Sequence, residues 1–202
     1  MALVSLLTLF VTTASPMHVA DLPLKQDGLE NPTFSKPSEG DEVGVISTKF
    51  GKIVVKFRPD KAPNHVANFK KLAKDGFYDK TIFHRVIPGF MIQGGDPNTK
   101  GTDTSLYGMG GPEERVKQEF NNLNHKRGVL SMARSSDPDS AGSQFFIMVK
   151  DSDFLNRKYS AFGEVVSGMD VADKIVNQPR NERDLPDERT EMTIKIEKWP
   201  VK

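Results

Sequence analysis

The sequence predicts a mainly β fold, a barrel or a sandwich, on three observations. Eight short runs rich in β-branched and aromatic residues are separated by glycine- and proline-containing turn signals. Two stretches carry helical periodicity. Strands and helices do not alternate as a parallel α/β sheet requires.

The chain opens on MALVSLLTLFVTTA, an apolar run that ends in small residues, with Thr12 and Ala14 spaced like the pair before a signal-peptidase cut. The run is shorter than the roughly 20 apolar residues that span a bilayer, so stable membrane insertion is not expected. A polar, proline-bearing stretch without sustained period follows. The expected organisation is a signal peptide over 1–20, a linker over 21–41 and one folded domain over 42–202, in a protein that is exported.

VGVIST and KIVVKF flank a turn at Gly51 and read as a hairpin. APNHVANFKKLAKDG reads as a helix: Pro63 suits its first turn, Val66, Phe69, Leu72 and Ala73 form one stripe, and Gly76 supplies the stop. Strands follow at TIFHRVI, FMIQG, GVLSMA, SQFFIMV and SAFGEVV. A second helix fits GMDVADKIV, with Met169, Ala172, Ile175 and Val176 on one face. QPRNERDLPDERTE is charged and carries two prolines, which reads as a solvated surface loop. EMTIKIEKW alternates Met192, Ile194 and Ile196 as a closing strand.

Composition excludes several functions. Lys plus Arg total 28 against 27 for Asp plus Glu, so no basic excess exists to neutralise phosphates and nucleic acid is not an expected ligand. Cysteine is absent, which removes disulfides, thiolate nucleophiles and cysteine-bound metals together. His18, His65, His84 and His125 have no ligand-pair spacing. DPDSAG begins like a calcium loop, yet the twelfth position falls on Met148 instead of a glutamate. GMGGPEE lacks the Lys-Ser/Thr of a phosphate loop, and Ser143 in AGSQF is not in the elbow of a serine hydrolase.

What remains is the alternation of side chains along the strands. In SQFFIM, Gln144 and Phe146 share one face while Phe145 and Ile147 share the other. Met91 and Gln93 point together, and strict alternation puts Phe83 and Ile87 on the face of Arg85. His84, on the opposite side, is expected to pack or to make structural hydrogen bonds. Two strands thus each offer an amide beside a large apolar side chain, which an ordinary half-buried strand also does.

FHRVIPGFMIQGGDP, followed by GVLSMA and AGSQFFI, closely resembles the cyclophilin family of peptidyl-prolyl cis-trans isomerases, from about Val43 to Lys198. MARSSDPDSAGSQFFIM looks more like bacterial members. The resemblance implies a closed eight-stranded antiparallel β-barrel capped by two α-helices, with the proline site on its outer wall and with neither cofactor nor metal. It implies Arg85 as the catalytic side chain and Gln93 as the group that orients it. Phe90, Met91, Phe146 and Leu155 would form the proline pocket, and Gln144, Ala133 and the backbone at Arg134 would hold the peptide, with Gly101 lining the groove. Phe154 and Tyr159 occupy places where many relatives have tryptophan and histidine, which implies weak binding of cyclosporin, the cyclic peptide that fills this groove in many cyclophilins. The implied partners are proline-containing peptides and unfolded or folding proteins, met by a monomer. The alternative function is an idle module that holds proline segments without turning them over.

Overall fold

A computed structural model of the chain describes residues 28–201. The apolar run and the expected cleavage region lie outside the described residues. Eight strands close on themselves: β1 (Glu42–Thr48), β2 (Gly51–Phe57), β3 (Thr81–Ile87), β4 (Met91–Gly94), β5 (Val129–Met132), β6 (Phe145–Met148), β7 (Ala161–Ser167) and β8 (Glu191–Lys198). Their order around the barrel is β1-β2-β7-β5-β6-β4-β3-β8, and every neighbouring pair is antiparallel. Closure leaves no long sheet edge unpaired.

Two helices, α1 (Pro63–Lys74) and α2 (Met169–Val176), cover the barrel. In α1 the predicted stripe of Val66, Phe69, Leu72 and Ala73 is buried, joined by His65. No side chain of its own caps the start. The Glu119 carboxylate instead accepts from the backbone N–H groups of Asn64 at 3.1 Å and His65 at 3.0 Å, satisfying two orphan donors at the positive end of the helix. Phe69 then sits against Phe57, Tyr78, Phe145 and Phe162, with ring centroids 5.1 to 5.8 Å apart. In α2 the buried face is Val171, Ala172, Ile175 and Val176, with Met169 only partly buried at its edge.

The barrel wall has two apolar layers. Phe145 and Ile147 of β6 point into the interior core, while Phe146 and Met148 point outward into a smaller cluster with Met91, Leu123, Val129, Leu155 and Ala161. The alternation read from SQFFIM is therefore present. That read from IFHRVI is not. Phe83 is fully buried in the interior core, whereas Arg85 is exposed on the outside. The cause is a β-bulge: Phe83 pairs with Gly94 and Arg85 with Gln93, so His84 is an extra residue in β3.

The part of the 21–41 stretch that is described lies on the barrel. Glu30 forms a parallel bridge with Leu123, and its carboxylate pairs with Arg58 at 2.8 Å and with Lys61. Arg58 also meets the fully buried Glu164 at 2.6 Å, and Glu164 accepts from Phe34 N at 2.9 Å. Local composition reads these residues as polar and uncommitted because their partners lie far along the chain.

Candidate active site

Strand register builds the site. Arg85 of β3 pairs across to Gln93 of β4, and Gln93 pairs across to Phe146 of β6. One step along, Ile87, Met91 and Met148 form the parallel row. Both rows face outward, where a cavity of about 380 Å³ is lined by Arg85, Phe90, Met91, Gln93, Ala133, Arg134, Phe146, Phe154, Leu155 and Tyr159. Ten of the residues implied by the resemblance thus meet at one place.

The floor is apolar and braced from below. Phe146, Met91 and Leu155 are buried, and the Tyr159 ring meets Phe146 edge-on at 5.7 Å. The His125 ring stacks beneath Phe146 at 6.3 Å, its ring nitrogens within hydrogen-bonding distance of Ser131 Oγ and Asn156 Oδ1. Burial pushes the His125 pKa down to about 4 against the pull of Asn156, so the support is neutral at physiological pH. Phe90 and Phe154 stack at 5.5 Å to make one rim, with Phe154 60% exposed. Arg134 makes the other: its guanidinium lies 4.7 Å from the Tyr159 ring centre and donates to Lys158 O.

Arg85 is the free donor. Among the described residues its polar contact is an ion pair from Nε to Asp184 at 3.9 Å, and neither Nη donates to a protein acceptor. Gln93 stands beside it in register, its amide nitrogen donating to Gln144 Oε1 at 3.0 Å, and its amide oxygen accepts no bond from Arg85 among the described residues. Gln144 in turn donates to Gly108 O at 3.0 Å and Gly110 O at 2.9 Å. The two amides therefore tie the 108–110 loop to the barrel wall.

That loop corrects one assignment. Gly101 lines neither the apolar cavity nor the polar one that adjoins it through Gln93, Ala133 and Arg134. It closes the 3₁₀ turn Pro97–Lys100, and its carbonyl accepts from the Tyr107 hydroxyl at 2.7 Å. Gly108, Met109 and Gly110 stand at the groove instead, opposite Gln144, Ser135, Ser140 and Gly142. Several glycines in one loop look alike in sequence. The Gln144 bonds to Gly108 and Gly110 decide between them.

These features match one family. The chain fits the description "Cyclophilin type peptidyl-prolyl cis-trans isomerase/CLD" over residues 44–201. It belongs to the cyclophilin family. Peptidyl-prolyl cis-trans isomerase B of Escherichia coli (strain K12) is 50% identical over 142 residues, covering 65% of this chain and 82% of the relative. Peptidyl-prolyl cis-trans isomerase of Acinetobacter baylyi is 42% identical over 156 residues, covering 75% and 80%. A crystal structure of a Cryptosporidium parvum cyclophilin type peptidyl-prolyl cis-trans isomerase, in the presence of the dipeptide Ala-Pro, superposes with a TM-score of 0.70 at 32% identity, covering 77% of this chain and 98% of that one. This cyclophilin is a peptidyl-prolyl cis-trans isomerase with bacterial relatives.

Proposed function

We propose that Arg85 drives the isomerisation by donating to the proline nitrogen of an X-Pro bond whose ring sits in the Phe90–Met91–Phe146–Leu155 pocket. Rotation about this bond is slow because amide resonance must be broken, a barrier of about 18–20 kcal/mol. No covalent bond changes. In the twisted state the nitrogen becomes pyramidal and regains its lone pair, so a donor fixed above it binds that state better than either planar isomer. The observation that carries this reading is the free Nη pair of Arg85 at the mouth of an apolar cavity. One such donor contributes about 3 kcal/mol, roughly a hundredfold in rate. Gln144, Ala133 and the backbone at Arg134 hold the peptide main chain. Gln93 positions Arg85 as its cross-strand neighbour while fixing Gln144.

The substrate class is proline-containing segments of unfolded or folding proteins, which fits the presence of Ala-Pro with the Cryptosporidium relative. Cyclosporin binds weakly, because Phe154 offers a ring and no donor. Arg85→Ala is expected to lower kcat/KM for an X-Pro peptide about a hundredfold, and Arg85→Lys nearly as much, since an ammonium lacks the planar fork. Retention of more than about a tenth of the activity by Arg85→Ala would rule out the donor role. The protein works outside the cytoplasm, on the pattern of the first residues. Mass spectrometry of protein from its native source should find an N-terminus between Ser15 and Asp21, and an intact Met1 in a cytosolic fraction would refute export.

A further inference from the structure

The charged connection between α2 and β8 is not left to solvent. β8 pairs with β3 at Thr81 and Ile82, and past the end of that ladder Val86 N donates to Asp184 O at 2.9 Å. The connection thus continues the sheet where β8 stops. Asn181 shapes its tip: its side-chain oxygen accepts from Arg183 N at 2.9 Å and Leu185 N at 3.2 Å, and its backbone N–H donates to Leu185 O at 3.0 Å. Asp184 lies in the left-handed region, with φ of 60°, which Asp and Asn tolerate better than other side chains. Its carboxylate stands between two guanidinium groups, 3.2 Å from Arg180 Nε and 3.9 Å from Arg85 Nε.

We infer that Asp184 is a positioning residue for Arg85, holding Nε from the loop side so that both Nη groups stay turned to the substrate. This rests on the donor role of Arg85. Asp184 does not line the proline cavity, so it acts through the arginine and not on the peptide. Gln93 does not supply the same restraint by a hydrogen bond: its amide nitrogen goes to Gln144, and its amide oxygen, the atom that could accept from a guanidinium, makes no bond to Arg85 among the described residues. Arg85 is 48% exposed and has many rotamers; a fixed carboxylate at Nε narrows them at little cost in reach. Both partners are partly solvated, so the effect is a factor of a few and is screened by salt.

Asp184→Asn keeps the shape and the left-handed backbone while removing the charge. In low salt it is expected to lower kcat about three- to fivefold, with KM within about twofold and an unchanged melting temperature. Raising salt to about 1 M should bring the wild-type kcat down towards that of the variant and leave the variant unmoved. In 15N spectra the Arg85 Nε–H resonance, assigned by its loss in Arg85→Ala, should shift in Asp184→Asn. A kcat at the wild-type level in low salt would overturn the inference. So would a loss of activity that tracks a lower melting temperature without salt dependence, because that describes loop structure alone. If Arg85→Ala is inactive and Asp184→Asn is normal, only the positioning role fails; if Arg85→Ala is active, the donor role fails first.

Discussion

Lowering the pH from 7 to 4.5 should weaken the fold through two histidines while the chemistry of the site stays the same. Burial pushes both His84 and His125 down to about 4. For His84, the attraction of Asp96 and the backbone at Ile82 oppose burial only in part, and neither ring nitrogen makes a well-formed hydrogen bond among the described residues. A histidine whose folded pKa is depressed binds its proton in the unfolded chain first. Stability is therefore full above the unfolded value near 6.5, falls as pH drops through the window from 6.5 to 4, and levels off below it. Taking 6.5 unfolded and 4 folded, the two histidines together remove about 5 kcal/mol between pH 7 and 4.5. That is a large share of the 5–15 kcal/mol that holds a typical domain together. His65 acts in the same direction, since burial outweighs the pull of Glu119 and leaves a neutral ring beside that carboxylate. Urea titrations at pH 7, 5.5 and 4.5 measure the effect, and His125→Gln should shallow the pH dependence by about 2 kcal/mol over that range. Equal stability at pH 7 and 4.5, or an unaltered slope in the variant, would refute the reasoning. Isomerase activity should be flat from about pH 6 to 9, because no proton is transferred and arginine stays charged.

Phe154→Trp should restore an indole donor at the rim and tighten cyclosporin about five- to a hundredfold, with peptide turnover little changed; drug titration of both proteins decides it, and no gain would show that Phe154 does not set the affinity. Arg58→Ala should cost about 3–5 kcal/mol, because the fully buried Glu164 loses its counter-charge. Limited proteolysis should then cut within residues 28–38 first, and a loss under about 1 kcal/mol in urea would show that Glu164 is satisfied otherwise.

The fold was legible wherever burial imposes a period. SQFFIM and FMIQG showed the right faces because both sides of β6 and β4 pack against apolar layers. The eight runs and two helical stripes fell on the observed elements for the same reason. Closure into a barrel came from family resemblance, since short alternating strands suit a sandwich equally well. What stayed hidden depends on contacts between residues far apart in the chain. Glu30 reads as linker until Arg58 and Lys61 are beside it, and Asp184 reads as solvated until its carbonyl meets Val86. The choice between Gly101 and Gly108 turned on a glutamine some forty residues away in sequence, Gln144.

The bulge at His84 explains why strict alternation failed at the most important residue. Phe83 is inside the barrel, and a regular strand would carry Arg85 to the same side two residues later. A guanidinium among Phe69, Tyr78 and Phe145 would meet no carboxylate and at most the Tyr78 hydroxyl as acceptor, which leaves most of its five donors unpaired at a cost of several kcal/mol. The extra residue in β3 resets the phase, so that Arg85 faces out beside Gln93 while Val86 returns to the core. It also explains the character of His84. The residue that absorbs the reset is taken out of the ladder and buried, with neither ring nitrogen in a well-formed hydrogen bond among the described residues, and that burial, with a small push from the Arg85 cation, holds it neutral. The strand therefore buries a neutral histidine where it presents an arginine on a rigid wall, and the His84 share of the expected acid sensitivity and the outward placement of Arg85 have one structural origin.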